Sequence, residues 1–464
     1  MLNKNSLCWV NSFLAMCLLS TSAIAVDSAS SNTSNKESVD KLASQSFTLD
    51  QAIDYAIANN PDLQIAIQRI EQADAQLGVA LSAFYPQVSA KVGYETSNNP
   101  AQVFSMIVAQ RDFHSNSIAN INDPGYRQNF RPEIIGKVSL FRGGQDYQNS
   151  KAAELGIEAA EFERSSIHNA LIQAVTATFY AHLAAIEAQK NAQNAIVAIE
   201  SELKQTQLKY DAGTVLKSDV LSLEVKLAEA QESQIRATNG IETAKANLVN
   251  LLGLPSQAIF NMASSSINTP PKLTTPFNEL LEQAMGQRPE VKAAAKQVEI
   301  AEHKVKSAQG AYLPKADAYV SYGQNSQTPG FSSSKENVTA GVAVEMDIFS
   351  GFNIQQQLRT AELKANEAVE TERKTKLAVE QEVKIAYLKL QESLARLHVT
   401  DVSVQSADEA LRLVKEERQA EVVTVTRYIE AEVARNTAQS NSIAAHYDAL
   451  SAEAALKKAI GAWK

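Results

Sequence analysis

The chain has 464 residues, a formal net charge of −9, and charged side chains at 20% of its positions. Proteins that bind nucleic acid concentrate basic residues, so this acidic balance excludes nucleic acid as an expected partner. The length leaves room for more than one structural unit.

The N-terminal residues have the features of an exported protein. Lys4 precedes an apolar run over residues 13–19, and a small-x-small pattern ends at Ala25. This pattern predicts a signal peptide over 1–25. Both cysteines of the sequence lie within it, so no disulfide or thiol chemistry is expected in the mature chain. Residues 26–47 are rich in Ser, Asn and Lys, and we predict that they are disordered.

The next segment predicts a helix followed by a β-hairpin. Thr48 is a typical N-cap, and helical apolar spacing continues to about residue 82 with an interruption at Pro61. After Pro86 the apolar period changes to two, which is typical of strands with one apolar and one polar side. Two such strands predict the hairpin 86–141.

The longest predicted element is a helix over 145–209, which lacks proline and contains one internal glycine. At 1.5 Å per residue it would be roughly 98 Å long. Alanines recur along it at alternating steps of four and three, the spacing of a coiled-coil seam. A turn at Gly213 then leads to a returning helix over 217–252. Helices that run side by side for such a distance indicate a cylinder rather than a globule.

The same plan occurs twice along the chain. The matching pairs are Pro61 and Pro289, Pro86 and Pro314, Phe141 and Phe349, Glu224 and Glu432, and Gly253 and Gly461. The first two pairs are 228 residues apart and the others 208, so the first hairpin has 20 more residues between its strands. This predicts a first repeat over 48–254, a connector over 255–275 and a second repeat over 276–464. The second repeat is predicted to contain a hairpin over 314–349, a long helix over 353–417 and a returning helix over 423–460.

The four predicted strands share one chemical pattern. None has Lys, Arg, Asp or Glu on its apolar face, which suits an outer-membrane barrel with lipid on that side. Four strands cannot close a barrel, and open strand edges in lipid leave backbone groups unpaired. The chain must therefore oligomerise to span a membrane, and the pattern is compatible with two, three or four copies.

At this point the sequence resembles the TolC-type outer-membrane efflux family. The residues that carry the resemblance are Asn60-Pro61, Tyr85-Pro86, Phe141-Arg142-Gly143-Gly144, Tyr210-Asp211-Ala212-Gly213-Thr214 and Leu252-Gly253, in this order within duplicated repeats. The resemblance implies a mainly α fold with two tandem repeats that forms a homotrimer. Its twelve strands would form an outer-membrane barrel, continued by a long coiled-coil α-helical barrel in the periplasm. The implied partners are a periplasmic adaptor, an inner-membrane pump of the RND or ABC type, and outer-membrane lipid.

The resemblance also implies where such a channel closes. At the periplasmic tip the family uses a Tyr, an Arg and two acids, and the matching positions here are Arg418, Val423, Arg427 and Glu430. Only the acid at Glu430 is kept, and Asp219 is the acidic partner in the first repeat. We therefore expect a cationic mouth in which Asp219 and Glu430 pair with the arginines. The alternative is that these side chains are simply solvated at a helix turn.

The two turns at the tip are the candidate adaptor contacts. They contain Gly213, Thr214 and Val215 in the first repeat and Val422 in the second, and exposed apolar residues at a helical tip indicate a binding surface. The first hairpin loop, about 97–130, holds several large apolar residues. It is long enough to fold over the outer mouth, although its length is also compatible with ordinary surface variation.

No pattern in the sequence indicates an enzyme. The six histidines show no metal-ligand spacing, no glycine-rich phosphate loop is present, and Ser201 and Lys204 match a serine–lysine signature only within a long helix. We expect no cofactor and no bound metal. The predicted function is a passive exit duct of a tripartite efflux or type I secretion system. The alternative is a periplasmic coiled-coil adaptor or scaffold that never enters the membrane.

Overall fold

Each half of the chain is built on one helix of 67 residues. The computed structural model describes residues 46–258, 261–262, 270–420 and 422–463. The predicted signal peptide and residues 26–45 lie outside the described residues. The long helices are α5 (Gln145–Asp211) and α9 (Asn353–Gln419), and each is followed by a 35-residue returning helix, α6 (Lys217–Leu251) or α10 (Val425–Ala459).

Two shorter helices precede the strands in each repeat, and a proline separates them. They are α1 (Leu49–Asn59) and α2 (Pro61–Leu81) in the first repeat, and α7 (Phe277–Gln287) and α8 (Pro289–Gly310) in the second. Asn60 caps α2 by accepting from the Asp62 amide at 2.8 Å, and its own side-chain amide donates to the Leu251 carbonyl at 2.9 Å. The break is therefore fastened to the end of α6.

None of the described helices is both long enough and apolar enough to cross a bilayer.

The four long strands form one antiparallel sheet in the order β2-β3-β5-β6. Their bounds are β2 Gln87–Ser97, β3 Arg127–Arg142, β5 Lys315–Gln324 and β6 Glu336–Glu345. The register aligns Val88 with Gly136, Gly136 with Val320 and Val320 with Ala340, so the apolar residues of all four strands share one face. We call this the apolar face; the opposite, polar face carries an ion pair of 3.0 Å between Lys137 and Asp317.

The connections within the two hairpins differ. Between β2 and β3 the chain forms α3 (Pro100–Ala109) and the single turn α4 (Asn116–Ala119). The connection between β5 and β6 is shorter and contains a 3₁₀ turn at Ser333–Lys335. The extra residues of the first hairpin therefore provide a helix.

One boundary of the predicted disordered segment 26–47 is wrong. Ser46 and Phe47 form a short strand, β1, which pairs in parallel with β4 (Asn261–Met262) inside the predicted connector. The reason is hydrophobic burial. The Phe47 ring is 5% exposed and packs edge-on against Tyr55 at a centroid distance of 5.8 Å.

The buried residues form several clusters along the helices rather than one central core. One cluster joins the two repeats, because Phe179 and Leu183 of α5 pack against Ile443 and Leu450 of α10. Near the tip, Ile196 and Ile199 of α5 pack with residues of α6 and α10. This arrangement is typical of long helices packed side by side in one layer, in which each helix buries an apolar stripe against its neighbours.

The strands meet the helices at a close backbone contact between Gly143 and Gly310. A Cβ atom added to Gly143 would lie 2.0 Å from the Gly310 carbonyl oxygen, and one added to Gly310 would lie 2.4 Å from the Gly143 oxygen. Gly143 also has a φ of +63°. No larger residue fits this crossing without movement of the backbone, so the joint between β3, α5 and α8 requires glycine.

Candidate functional site

The candidate site is the tip where each long helix reverses into its returning helix. In the first turn Gly213 adopts a φ of +77°, and the Thr214 amide donates to the Lys209 carbonyl at 2.9 Å. In the second turn the Val422 amide donates to the Glu417 carbonyl, also at 2.9 Å. Both helices thus end with the same hydrogen bond, from an amide to the carbonyl five residues earlier, and in the first turn Gly213 completes a Schellman motif.

The candidate adaptor contacts lie at the surface of these turns. Gly213, Thr214 and Val422 are exposed, and Val215 is half-buried. Leu216, which is missing from the predicted contacts, is also strongly exposed beside them. An apolar residue directly before a helix that follows a turn is the pattern that could have indicated it, and Leu216 is the N-cap of α6. Together the two turns present aliphatic side chains that could contact another protein.

Arg418 joins the two repeats near the tip. Its Nε lies 3.1 Å from Oε1 of Glu202, and its Nη1 donates to the Val423 carbonyl at 3.4 Å. The two charged side chains are only 13% and 11% exposed. The pair therefore joins the end of α9 to the last turns of α5 and holds the turn that follows α9.

The other gate candidates are not part of this pair. Arg427 contacts Glu430 at 3.3 Å on the same helix, and both side chains are about 60% exposed. Asp219 is half-buried in the first turn of α6, where its charge favours the helix N-terminus. Among the described residues, the Asp219 backbone amide donates to the Leu216 carbonyl at 3.1 Å, and its carboxylate forms no hydrogen bond. Of the ion pairs expected between the two arginines and the two acids, the described residues of one chain contain only Arg427–Glu430. Arg418 pairs with Glu202 instead.

Glu202 could not be found from the sequence. It lies nine residues before the end of α5 with no local feature to distinguish it, and its partner is 216 residues away along the chain. The pair borders a pocket of about 430 Å³ between α5, α9 and α10, whose lining includes Lys209, Lys415 and Tyr428. Burial raises the pKa of the Tyr428 phenol, so this side chain stays neutral.

Glu432 is a buried carboxylate close to this pocket. It is 5% exposed, and its Oε2 lies 3.8 Å from the Lys415 ammonium, too far for a hydrogen bond. Within the described part of the chain this oxygen has no hydrogen-bond partner. Burial raises the pKa of the Glu432 carboxyl, and Asp408 adds to the shift, whereas Lys415 and Arg435 oppose it. The ionised Glu432 carboxylate therefore lowers the free energy of unfolding.

This carboxyl should make the tip more stable in mild acid. The pKa of an unfolded Glu is about 4.3, and the pKa of Glu432 in the folded protein is higher. The stabilising contribution of the protonated carboxyl is therefore fully present below about pH 4.3 and is lost as the pH rises through the pKa of the folded protein. We expect Glu432→Gln to raise the melting temperature at pH 8 by a few degrees and to flatten its pH dependence. Circular dichroism of the detergent-solubilised protein at pH 5 and pH 8 measures both effects.

Glu224 provides the matched control for that substitution. It is the counterpart of Glu432 in the first repeat but is exposed, so Glu224→Gln should leave the melting temperature unchanged at both pH values. Equal shifts in the two variants would contradict a role for burial at Glu432.

The comparison with known proteins identifies the family. The family model for outer membrane efflux proteins matches residues 52–254 and 280–462, one segment in each repeat. The chain belongs to the outer membrane efflux protein family. Members of this family are transport channels of the outer membrane, so the chain is an outer-membrane efflux channel. This confirms the predicted channel and sets aside the alternative of a periplasmic scaffold.

Individual members of the family match about nine tenths of the chain. The pyoverdine export outer membrane protein OpmQ of Pseudomonas aeruginosa is 22% identical over 418 residues, which cover 89% of this chain and 85% of that protein. The Campylobacter jejuni CmeC outer membrane channel superposes with a TM-score of 0.77 at 18% identity, covering 89% of this chain and 85% of that chain. The Neisseria gonorrhoeae MtrE channel gives 0.73 at 19% identity, covering 89% and 88%. The mainly helical, two-repeat fold of the efflux family is thereby confirmed.

Proposed function

We propose that three copies of this chain form the exit duct of a tripartite efflux or type I secretion system. The duct conducts its substrate passively from an inner-membrane pump across the periplasm and the outer membrane. The observation that carries this proposal is the four-stranded sheet, which has a continuous apolar face and two open edges at the end of the 67-residue helices.

The apolar face supports contact with lipid. Val88, Val92, Val342 and Val344 are all strongly exposed on it, and a patch of this kind is unfavourable in water but favourable against acyl chains. The polar face carries the Lys137–Asp317 ion pair. In a closed barrel this face would line a water-filled lumen.

The open edges support assembly from several copies. Strand β2 pairs only with β3, and β6 only with β5, among the residues that the structure describes. Backbone groups on these edges need partners in lipid. Pairing of β6 in one copy with β2 in the next satisfies them, and the number of copies, three, comes from the family resemblance.

The helical tip supports docking of the other components. The exposed turns with Gly213, Thr214, Val215 and Val422 would receive the periplasmic adaptor, and Leu216 extends this surface. The duct itself needs no enzymatic activity or cofactor, because the pump supplies the driving force. Either an RND or an ABC pump is compatible with this arrangement.

The proposal is tested by the mass and conductance of the complex extracted from the outer membrane. We expect a trimer that resists dissociation in detergent and conducts ions in a planar bilayer. A soluble monomer in the periplasmic fraction would overturn the duct.

A matched pair of variants tests the orientation of the sheet. Val342→Lys places a charge on the apolar face at a cost of about 2–4 kcal/mol per copy near the bilayer midplane, so it should prevent trimer accumulation in the outer membrane. The adjacent Ala343→Lys places the same charge on the polar face and should be tolerated, since Ala343 is opposite Asp317. Equal yields of the two variants would contradict the proposed lipid contact.

A further inference from the structure

Helix α3, in the connection between β2 and β3, has one buried side. Val103, Met106, Ile107 and Gln110 are all buried, and their spacing of three, four and seven residues places them on the same side of the helix. This side of the helix is therefore packed against the rest of the chain.

Gln110 anchors the helix to the polar face. Its Nε2 donates to the Asn129 side chain at 3.1 Å, and its Oε1 accepts from Arg127 Nε at 2.9 Å. Arg127 also forms an ion pair of 2.5 Å with Asp112. Along β3, Arg127 and Asn129 alternate with the apolar residues and fall on the same face as Lys137. Helix α3 therefore covers the polar face, which would line the lumen of the proposed duct.

A second anchor reaches the far edge of the sheet. Arg111 Nη2 donates to the carbonyl of Glu336, the first residue of β6, at 2.7 Å. Arg111 follows the end of α3 by two residues, and since β5 lies between β3 and β6, its side chain fastens that end of the helix across the width of β5. Its anchor is on the edge that would meet the next copy of the chain, so α3 is continuous with the proposed interface between copies.

The other side of α3 is apolar and exposed. It carries Phe104 and Val108, and Phe113 packs edge-on against Phe104 at a centroid distance of 5.8 Å. Because the buried side faces the sheet, these side chains point away from it. In the duct they would project into a water-filled lumen, where exposed apolar surface is unfavourable unless it meets another apolar surface.

We propose that the apolar sides of three α3 helices, one from each copy, meet on the axis of the duct and form a hydrophobic outer gate. Twelve strands about 4.8 Å apart and tilted by about 40° enclose a backbone radius of about 12 Å. A helix is about 10–12 Å across with its side chains, so three helices fill that opening. An apolar constriction of this kind stops ion flow by excluding water. This inference rests on the proposed trimeric duct.

The first test is disulfide trapping between copies. No cysteine follows Cys17 in the sequence, so Phe104→Cys introduces a single thiol. We expect mild oxidation of the purified trimer to produce disulfide-linked pairs of chains. The control is Tyr94→Cys, because Tyr94 is exposed on the apolar face of β2 and its copies would be separated by the barrel. It should form a trimer without cross-links.

The second test is conductance in a planar bilayer. We expect the double variant Phe104→Ser/Val108→Ser to conduct at least twofold more than the unmodified trimer, because water can then enter the constriction. A conducting trimer that neither cross-links through Phe104→Cys nor gains conductance in the double variant would overturn the gate and leave the duct intact. Absence of a trimer or of any conductance in the unmodified protein would overturn both.

Discussion

Replacing Gly143 with alanine is expected to reduce the trimer in the outer membrane at least tenfold. The new Cβ would lie 2.0 Å from the Gly310 carbonyl oxygen, and neither backbone can retreat without distorting β3 or α8. Misplacement of this joint prevents the sheet and the long helix from packing together. Electrophoresis of unheated outer-membrane samples measures the yield of the trimer.

A substitution at the neighbouring Gly144 tests the cost of the backbone conformation without steric crowding. Gly144 has a φ of +78°, but an added Cβ would meet no atom within 4 Å. Gly144→Ala therefore bears only the conformational cost of about 1–2 kcal/mol, and its trimer should accumulate. If both variants lose the trimer equally, the close contact at Gly143 is not the cause.

Removing the Arg418 side chain should loosen the helical tip. Arg418→Ala leaves Glu202 nearly buried without its partner, and loss of one member of such a pair costs about 3–5 kcal/mol. We expect amide hydrogen exchange near the end of α9 to accelerate by at least about a hundredfold. Exchange measured by mass spectrometry on the intact trimer would report this change.

The same substitution at Arg427 is the control. The Arg427–Glu430 pair is exposed, and such pairs contribute about 0–1 kcal/mol, so exchange should change by less than about fivefold. The double variant Arg418→Ala/Glu202→Gln removes both charges and should recover most of the lost protection. Equal exchange in Arg418→Ala and Arg427→Ala would contradict the assignment of the Arg418–Glu202 pair as the stabilising contact.

The mainly helical, duplicated fold could be predicted because its signals are local and repeated. The 3.5-residue alanine spacing, the period of two after Pro86 and the repeat offsets of 228 and 208 residues each depend only on the order of residues. Phe47 was missed because its strand partner lies in the connector, more than 200 residues away. A sequence without periodicity gives no indication of such a pairing.

The burial and pairing of the charged residues at the tip could not be predicted from the sequence to the same extent. The 208-residue offset treats Glu224 and Glu432 alike, yet the structure exposes the first and buries the second. The same offset identified Arg418 but not Glu202, because their contact depends on how α9 packs against α5. Local patterns locate the turn, whereas tertiary packing decides which charges meet there.

The length of α5 separates the two ends of the molecule electrically. A helix of 67 residues spans about 100 Å, whereas ions at physiological strength screen charges beyond about 8 Å. Protonation of Glu432 therefore cannot act on α3 through space. Any influence of the tip on the outer end has to be transmitted by rotation or bending of α5 as a continuous helix. Such a motion would reach the sheet through the close backbone contact at Gly143.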